Sequence, residues 1–306
     1  MLRVVRPIHV HPWAKQMYDR ILIGIDFSDS SVETVRWAVS RFPTAEIVLF
    51  HAIEPLSVPD YLSRVLGGGL ELMREKELDA RTNLEHLADG MGIEATLEVR
   101  LGWAPEALAV TAEEVGADLV VVGAHRRRIN PTDELGNTCS AIVRKTNVPV
   151  LVWRPVINAR DKTILAALDL REGSAPIAAT AAEYALYFDA RLLLLHAIPS
   201  TLQGYLRAVS TPPKVEEALR GLESEARRDA LARVPKDLRE KVAVQVAIVR
   251  GKPVVSHILN TAERESADLI VIGKYHAPGL AARVLLGGIT SAVIQNANCS
   301  VLTVPL

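Results

Sequence analysis

The chain has 306 residues, of which 49% are hydrophobic and 23% charged, and its formal net charge is −1. This composition is typical of a folded globular protein, and the length predicts two domains of roughly 150 residues each. The balanced charge argues against nucleic acid and membrane surfaces as partners, because both are bound by a concentrated positive face. The two cysteines lack C-x-x-C spacing and no signal-like stretch opens the chain, so we expect a cytoplasmic protein.

The first half of the chain alternates predicted strands and helices. An apolar run at residues 21–25 stops at Asp26, and such uninterrupted runs are typical of parallel strands covered on both faces. Ser30 followed by Glu33 predicts a capping box that opens a helix to about Arg41. Further strands are predicted at residues 47–50 and 95–101, and helices at about 61–87 and 105–115. A glycine run at residues 67–69 marks a loop or a hinge in the longer helix.

A longer stretch, residues 117–152, occurs a second time as residues 267–303. In each copy an apolar strand ends in a glycine, Gly123 or Gly273. A polar loop follows, and a second glycine, Gly136 or Gly287, precedes a helix and a last apolar strand. Because a glycine lets the backbone approach a ligand and a helix start presents unpaired amides, the pattern predicts a phosphate-type loop in each half.

The rest of the second half repeats the order of the first. A strand at residues 164–168 ends in Asp169, and a strand at residues 192–195 ends in His196, as residues 47–50 end in His51. The sequence therefore predicts a duplicated α/β domain with a five-stranded, doubly wound, Rossmann-like parallel sheet in each half. The predicted domains are residues 1–155, with an N-terminal extension at 1–18, and residues 162–306, joined by a linker at 156–161.

The repeated stretch resembles the signature of universal stress protein domains, whose nucleotide-binding members carry G-x2-G-x9-G-[ST] between their fourth and fifth strands. Gly123 and Gly136 keep this spacing, but Arg126 stands in place of the second glycine and Asn137 in place of the hydroxyl residue. In the second copy His276 replaces that glycine, the spacer is one residue longer, and Gly288 replaces the hydroxyl residue. The resemblance covers nearly the whole chain and implies two tandem domains of the adenine nucleotide α hydrolase-like fold.

This resemblance implies a stress-response regulatory protein that binds ATP or another adenine nucleotide, with Mg²⁺ as a candidate companion ion, in at least one half. Asp26 and Asp169 are implied to contact the purine or the ribose, although each aspartate could instead cap the turn that follows it. Arg126 either blocks the approach of phosphate or binds it through its guanidinium group. The implied phosphate-side residues are Gly123, Arg126, Gly136, Asn137, Gly273, His276, Gly287 and Gly288. Of the two loops we expect the second to bind better, because Gly287 and Gly288 leave two unhindered amides.

Two other functions stay open. A member with altered loops could be an interaction scaffold or bind a different small molecule. An enzyme is the least favoured alternative, since no catalytic triad order, zinc-ligand spacing or Walker lysine accompanies the glycines. We therefore expect no catalytic activity and interpret His51 and His196 as packing or turn residues repeated by duplication.

The last strand of each half, at residues 148–153 and 301–304, is short and apolar. Such a strand at the edge of a sheet invites association. In single-domain universal stress proteins these edges pair across a two-fold axis, so the resemblance implies an intramolecular pseudo-dimer with pseudo-two-fold symmetry. A homodimer of the whole chain remains a further possibility.

Overall fold

A computed structural model describes residues 17–54, 69–124, 137–155, 162–274 and 288–306. The predicted linker at 156–161 and all but the last two residues of the predicted N-terminal extension lie outside these ranges. The chain divides into two compact units, with the main boundary between Trp153 and Arg154. Among the described residues no helix combines the length and the apolar character that crossing a membrane requires.

The first unit is a parallel sheet with helices between its strands. The strand order is β3-β2-β1-β4-β5, and every pair is parallel. Its elements are β1 (Arg20–Gly24), α1 (Asp29–Arg41), β2 (Glu46–Ile53), α2 (Gly69–Met91), β3 (Ala95–Leu101), α3 (Ala104–Glu114), β4 (Leu119–Gly123), α4 (Asn137–Lys145) and β5 (Val150–Trp153).

The second unit repeats this topology, with the order β8-β7-β6-β9-β10 and parallel pairing throughout. Its elements are β6 (Thr163–Leu168), α5 (Ser174–Phe188), β7 (Arg191–Ile198), α6 (Ser200–Val209), α7 (Pro212–Arg233), α8 (Lys236–Arg239), β8 (Val244–Arg250), α9 (Val254–Arg264), β9 (Leu269–Lys274), α10 (Gly288–Asn296) and β10 (Ser300–Pro305). Two doubly wound parallel sheets were predicted, and this prediction is confirmed.

The central strands explain why the sheets form where they do. In β1 the side chains of Ile21, Leu22 and Ile23 are fully buried, and all six residues of β6 are buried. A strand that is apolar on both faces is stable only when both faces are covered, here by helices on either side of the sheet. The uninterrupted apolar runs therefore predict the middle of each sheet correctly.

The structure corrects three local predictions. Helix α1 is capped by Ser28 rather than Ser30, because Ser28 has extended backbone angles and its side chain accepts a hydrogen bond from the Ser31 amide. Strands β2 and β7 continue past His51 and His196, so neither histidine ends its strand. Helices α6, α7 and α8 were not predicted. The described part of the long first-half helix begins at Gly69, and Gly67 and Gly68 lie outside the described residues.

The strand order places a crevice in each unit. From β1 the chain runs outward to β2 and β3, whereas β4 and β5 lie on the opposite side of β1. The carboxyl ends of β1 and β4, and likewise of β6 and β9, therefore flank a topological switch point. In open parallel sheets this is where ligands bind. We name these places the first and the second crevice.

Candidate functional site

Four of the residues predicted from the sequence lie at the two crevices. Asp26 and Gly123 flank the first crevice at the ends of β1 and β4, and Asp169 and Gly273 flank the second at the ends of β6 and β9. Asn137 and Gly288 are the first residues of α4 and α10. The other predicted phosphate-side residues fall outside the described residues: Arg126, Gly136, His276 and Gly287.

Asp26 organises the turn between β1 and α1. Its Oδ1 accepts hydrogen bonds from the Ser28 amide at 3.0 Å and from the Ser28 hydroxyl at 2.5 Å. Phe27, between them, has a positive φ of 59°, a conformation that a non-glycine residue adopts only when its surroundings hold it. The local capping role weighed for Asp26 is thus present, and the carboxylate remains exposed at the crevice.

Asp169 forms the same turn in the second unit with different partners. Its Oδ1 accepts from the Arg171 amide at 3.0 Å and from the Ser174 hydroxyl at 2.6 Å. Leu170 has a φ of 60°, matching Phe27. Here the turn is further restrained, because Arg233 donates a hydrogen bond to the Leu170 carbonyl at 3.0 Å. The two turns share their backbone shape and differ in side chains.

Each turn is anchored by a histidine from the neighbouring strand. His51 Nδ1 lies 2.8 Å from the Ile25 carbonyl oxygen, and His196 Nδ1 lies 2.9 Å from the Leu168 carbonyl oxygen. A carbonyl can only accept, so Nδ1 carries the proton and donates it in both units. Each bond fixes the residue directly before the aspartate. The prediction of packing or turn roles for these histidines agrees with this geometry.

Gly123 and Gly273 lie close against the helices that follow β1 and β6. A Cβ atom added at Gly123 would lie 2.8 Å from Thr34 Oγ1 and 3.2 Å from Ser30 Oγ, both on α1. At Gly273 it would lie 2.7 Å from Ile177 Cδ1 on α5. Both glycines therefore admit the first turns of a helix against the strand end. Their predicted role in admitting a ligand stays a prediction, and these contacts show a packing role at the same two positions.

The helix that follows each loop is tied back to the same strand end. Cys139 on α4 donates a thiol hydrogen bond to the Gly123 carbonyl at 3.8 Å, and Thr290 on α10 donates a hydroxyl hydrogen bond to the Gly273 carbonyl at 2.9 Å. Neither Cys139 nor Cys299 forms a disulfide. Burial raises the pKa of the Cys299 thiol to about 11, so this thiol stays protonated and unreactive at neutral pH.

Strand β9 ends in a buried lysine that sequence analysis missed. Lys274 follows Gly273 at the end of β9, and its side chain is 1% exposed. Burial lowers its pKa to about 7, because a low-dielectric surrounding disfavours the charged form. The first unit has Ala124 at this position. Within the described ranges no group of three or more His, Cys, Asp or Glu side chains could hold a metal ion.

Comparison with known proteins assigns both units to one family. The model of the universal stress protein family matches residues 17–154 and again residues 161–305. A universal stress protein of Mycolicibacterium smegmatis is 27% identical over 299 residues, which are 93% of this chain and 96% of the relative. A universal stress protein A homolog of Coxiella burnetii is 34% identical over 144 residues, covering 47% of this chain and 95% of the relative.

Solved structures show the same fold over nearly the whole chain. A universal stress protein from Archaeoglobus fulgidus superposes with a TM-score of 0.64 at 16% identity, covering 94% of this chain and 96% of that one. A universal stress protein from Pseudomonas aeruginosa gives a TM-score of 0.60 at 20% identity, covering 95% and 94%. At these identities the likeness concerns the fold.

Proposed function

The chain belongs to the universal stress protein family and carries two of its domains in tandem, and we propose that it is a stress-response regulatory protein that binds an adenine nucleotide, ATP first, at a domain crevice. The observation that carries this proposal is the position of Asp26. Its exposed carboxylate lies at the topological switch point, opposite Gly123, on a turn held in an uncommon conformation. A rigid, solvent-facing acceptor at this place is suited to a ribose hydroxyl or a purine amino group.

The residues around Asp26 fit the parts of a nucleotide. Phe27 is 36% exposed, and its ring lies 4.6 Å from the His51 ring, so it presents an aromatic surface on which a purine can stack. Ser30 places a hydroxyl at the end of β4. A magnesium ion would arrive with the phosphates, since Mg²⁺ keeps several waters and needs few protein ligands.

We propose binding without catalytic turnover. The two histidines nearest the crevices, His51 and His196, both donate Nδ1–H to backbone carbonyls, which gives them a positioning role. Asp26 and Asp169 are engaged in their turns. Such an arrangement suits a ligand-responsive protein, in which bound nucleotide changes what the surrounding loops present to a partner.

The test is to identify what the purified protein carries. The protein is denatured and filtered, and the released material is analysed by ultraviolet absorption and chromatography. Calorimetry with ATP and Mg²⁺ follows. We expect released purine or a measurable dissociation constant, and a loss of at least about tenfold in affinity for Asp26→Ala, since a hydrogen bond to a charged group contributes about 1.5–3 kcal/mol. Absence of purine in both experiments would contradict the proposal.

An interaction scaffold is the second candidate, and one observation favours it. Helix α6 exposes Leu202, Tyr205 and Val209, which are 36%, 64% and 60% exposed. Their spacing places them along one face of the helix, and exposed apolar surface of this kind marks interaction sites. Under the scaffold hypothesis the release and calorimetry experiments give no nucleotide, and Tyr205→Ser lowers recovery of a partner without changing the melting temperature.

A further inference from the structure

We infer that the two crevices are not equivalent, and that nucleotide binds in the first unit alone because Leu306 fills the corresponding space of the second. This inference rests on the proposed function and adds which domain carries it. It follows from the side chains that border the two switch points, which lie at matching positions of the duplicated fold.

In the second unit, Leu306 lies across the crevice. A Cβ atom added at Gly273, on the β9 side, would lie 2.7 Å from Leu306 Cδ1. A Cβ atom added at Gly173, directly before α5 and on the β6 side, would lie 2.9 Å from the same methyl carbon. One leucine side chain therefore contacts both walls of the switch point.

A backbone hydrogen bond holds Leu306 in place, and a second apolar residue packs beside its side chain. The Leu306 amide donates a hydrogen bond to the Lys274 carbonyl at 3.2 Å, so the leucine continues the pairing of β10 with β9. Ile177 Cδ1 reaches the same point as Leu306 Cδ1, each 2.7 Å from the added Gly273 Cβ. The methyl groups of Leu306 and Ile177 offer no hydrogen-bond donor to a phosphate or ribose oxygen.

The first unit has polar side chains at the matching positions. The three atoms nearest to a Cβ added at Gly123 belong to Thr34 and Ser30. Strand register pairs Gly123 with Trp153 and Gly273 with Val304, which makes Pro155 the counterpart of Leu306. Pro155 is exposed. The first crevice is thus bordered by hydroxyl groups where the second is bordered by methyl groups.

Ser30 is the donor that this arrangement makes available. Thr34 uses its hydroxyl to donate to the Ser30 carbonyl at 2.7 Å. The Ser30 hydroxyl itself has no hydrogen-bond partner within the described part of the chain, and Ser30 is half-buried. A half-buried hydroxyl without a protein partner can donate to a ligand oxygen at little cost, because no internal bond must break.

The turns that follow β1 and β6 also differ in the side chains that they offer to a purine. Phe27 offers an exposed aromatic ring beside Asp26, whereas Leu170 at the matching position is aliphatic and its carbonyl is bound by Arg233. The inferred order of the two units is the reverse of the order expected from Gly287 and Gly288. The inferred order rests on the strand ends and helix starts, whereas Gly287 lies outside the described residues.

The experiment exchanges the bordering residues between the units and counts bound nucleotide by calorimetry with ATP and Mg²⁺. One variant, Ser30→Gly with Thr34→Ile and Pro155→Leu, installs the second-unit residues in the first crevice. The matched variant, Gly173→Ser with Ile177→Thr and Leu306→Pro, installs the first-unit residues in the second crevice. We expect one nucleotide per wild-type chain, none for the first variant and two for the matched variant.

Melting curves establish that each variant is folded. If the first variant does not fold, Ser30→Gly alone replaces it, and this single change is expected to weaken binding at least threefold.

The outcomes separate the inference from the proposed function. No nucleotide bound by any of the three proteins would overturn the proposed function and this inference with it. Two nucleotides per wild-type chain, or unchanged binding by the first variant, would leave the function standing and overturn the inference. If the first variant binds no nucleotide but the matched variant still binds only one, Leu306 is not what blocks the second crevice.

Discussion

The two crevices of this protein share a backbone conformation and differ in the side chains that border them. Both have an aspartate-held turn, a histidine bonded to the preceding carbonyl and a glycine at the facing strand end. Around the glycine, however, the first unit places Ser30 and Thr34, and the second places Ile177 and Leu306. The turn and its anchors therefore belong to the duplicated fold, and we infer that the bordering side chains decide what each crevice can bind.

The largest effect is expected in the last strand of each sheet. Leu151 and Leu302 occupy matching positions and are 1% and 0% exposed, so Leu151→Lys or Leu302→Lys buries a charge and should cost more than about 4 kcal/mol of unfolding free energy. If the family-type pairing of these strands holds, both changes should also separate the halves or precipitate the protein. Light scattering and melting curves measure this, with Leu151→Met and Leu302→Met as controls. Lysine variants that melt like the wild type would contradict the prediction.

We expect a smaller loss of unfolding free energy when a methyl group is added at Gly123 or Gly273. The loss should be larger at Gly123. Gly123→Ala drives Cβ against Thr34 Oγ1, which is held by its own hydrogen bond, and overpacking of this kind costs about 1–3 kcal/mol. Gly273→Ala meets the terminal methyl groups of Ile177 and Leu306, which can shift to another side-chain torsion at a cost of about 0.5–1.5 kcal/mol. Urea denaturation measures both.

The control for these changes is Gly288→Ala, because a Cβ atom there meets nothing within 4 Å, and it should not destabilise. A second check is Thr34→Ala, which should restore part of the stability lost in Gly123→Ala and none of that lost in Gly273→Ala. Equal losses of stability in Gly123→Ala and Gly273→Ala would contradict the prediction, because both sites would then resist the added methyl group equally.

Lys274 should make the stability of the second unit depend on pH. Ala124, at the matching position of the first unit, cannot titrate and has no such effect. The pKa of Lys274 is lowered by burial from 10.5 to about 7, so between these values the unfolded chain holds a proton that the folded chain lacks. Stability therefore rises with pH across this window, by up to about 1.4 kcal/mol per pH unit. Denaturant midpoints between pH 7 and pH 10 should show a slope that Lys274→Met reduces. The same slope in both proteins would exclude this role for Lys274.

A small loss of stability is expected from replacing either histidine, and the effect on ATP binding should differ between the two units. His51→Ala and His196→Ala each remove one hydrogen bond to a carbonyl, with a loss of about 1 kcal/mol in each case. Only His51→Ala should also weaken ATP binding, because it releases the turn that carries Asp26 and Phe27. Calorimetry of both variants tests this, and a comparable loss of affinity in His196→Ala would place a ligand in the second crevice.

Much of the fold was readable from the sequence because burial leaves a direct pattern. The apolar runs before Asp26 and Asp169, and the glycines at or next to the ends of β4 and β9, placed the carboxyl edge of each sheet correctly. The cap of α1 was misplaced by two residues, since the positive φ of Phe27 that starts the helix at Asp29 leaves no signature in an aromatic residue.

The side chains around the site were less predictable, because they depend on tertiary contacts. Nothing local to Gly123 shows that Thr34 lies against it, and the reach of Leu306 to Gly173 joins residues far apart in the chain. Comparing matching positions of the two halves could have given a signal. Ser30 and Thr34 correspond to Gly173 and Ile177, a change from polar to apolar that follows from the repeat alone.

The most direct test of the account is to locate bound nucleotide in the chain. The full-length protein is irradiated with a photoreactive azido-adenine analogue of ATP, digested, and mapped by mass spectrometry, with excess ATP as competitor. We predict competed label in peptides of the first crevice, from the β1–α1 turn around Phe27 or from β2 around His51, and none in the β6–α5 turn around Leu170. Competed label confined to the second crevice, or shared equally between the two, would contradict the account.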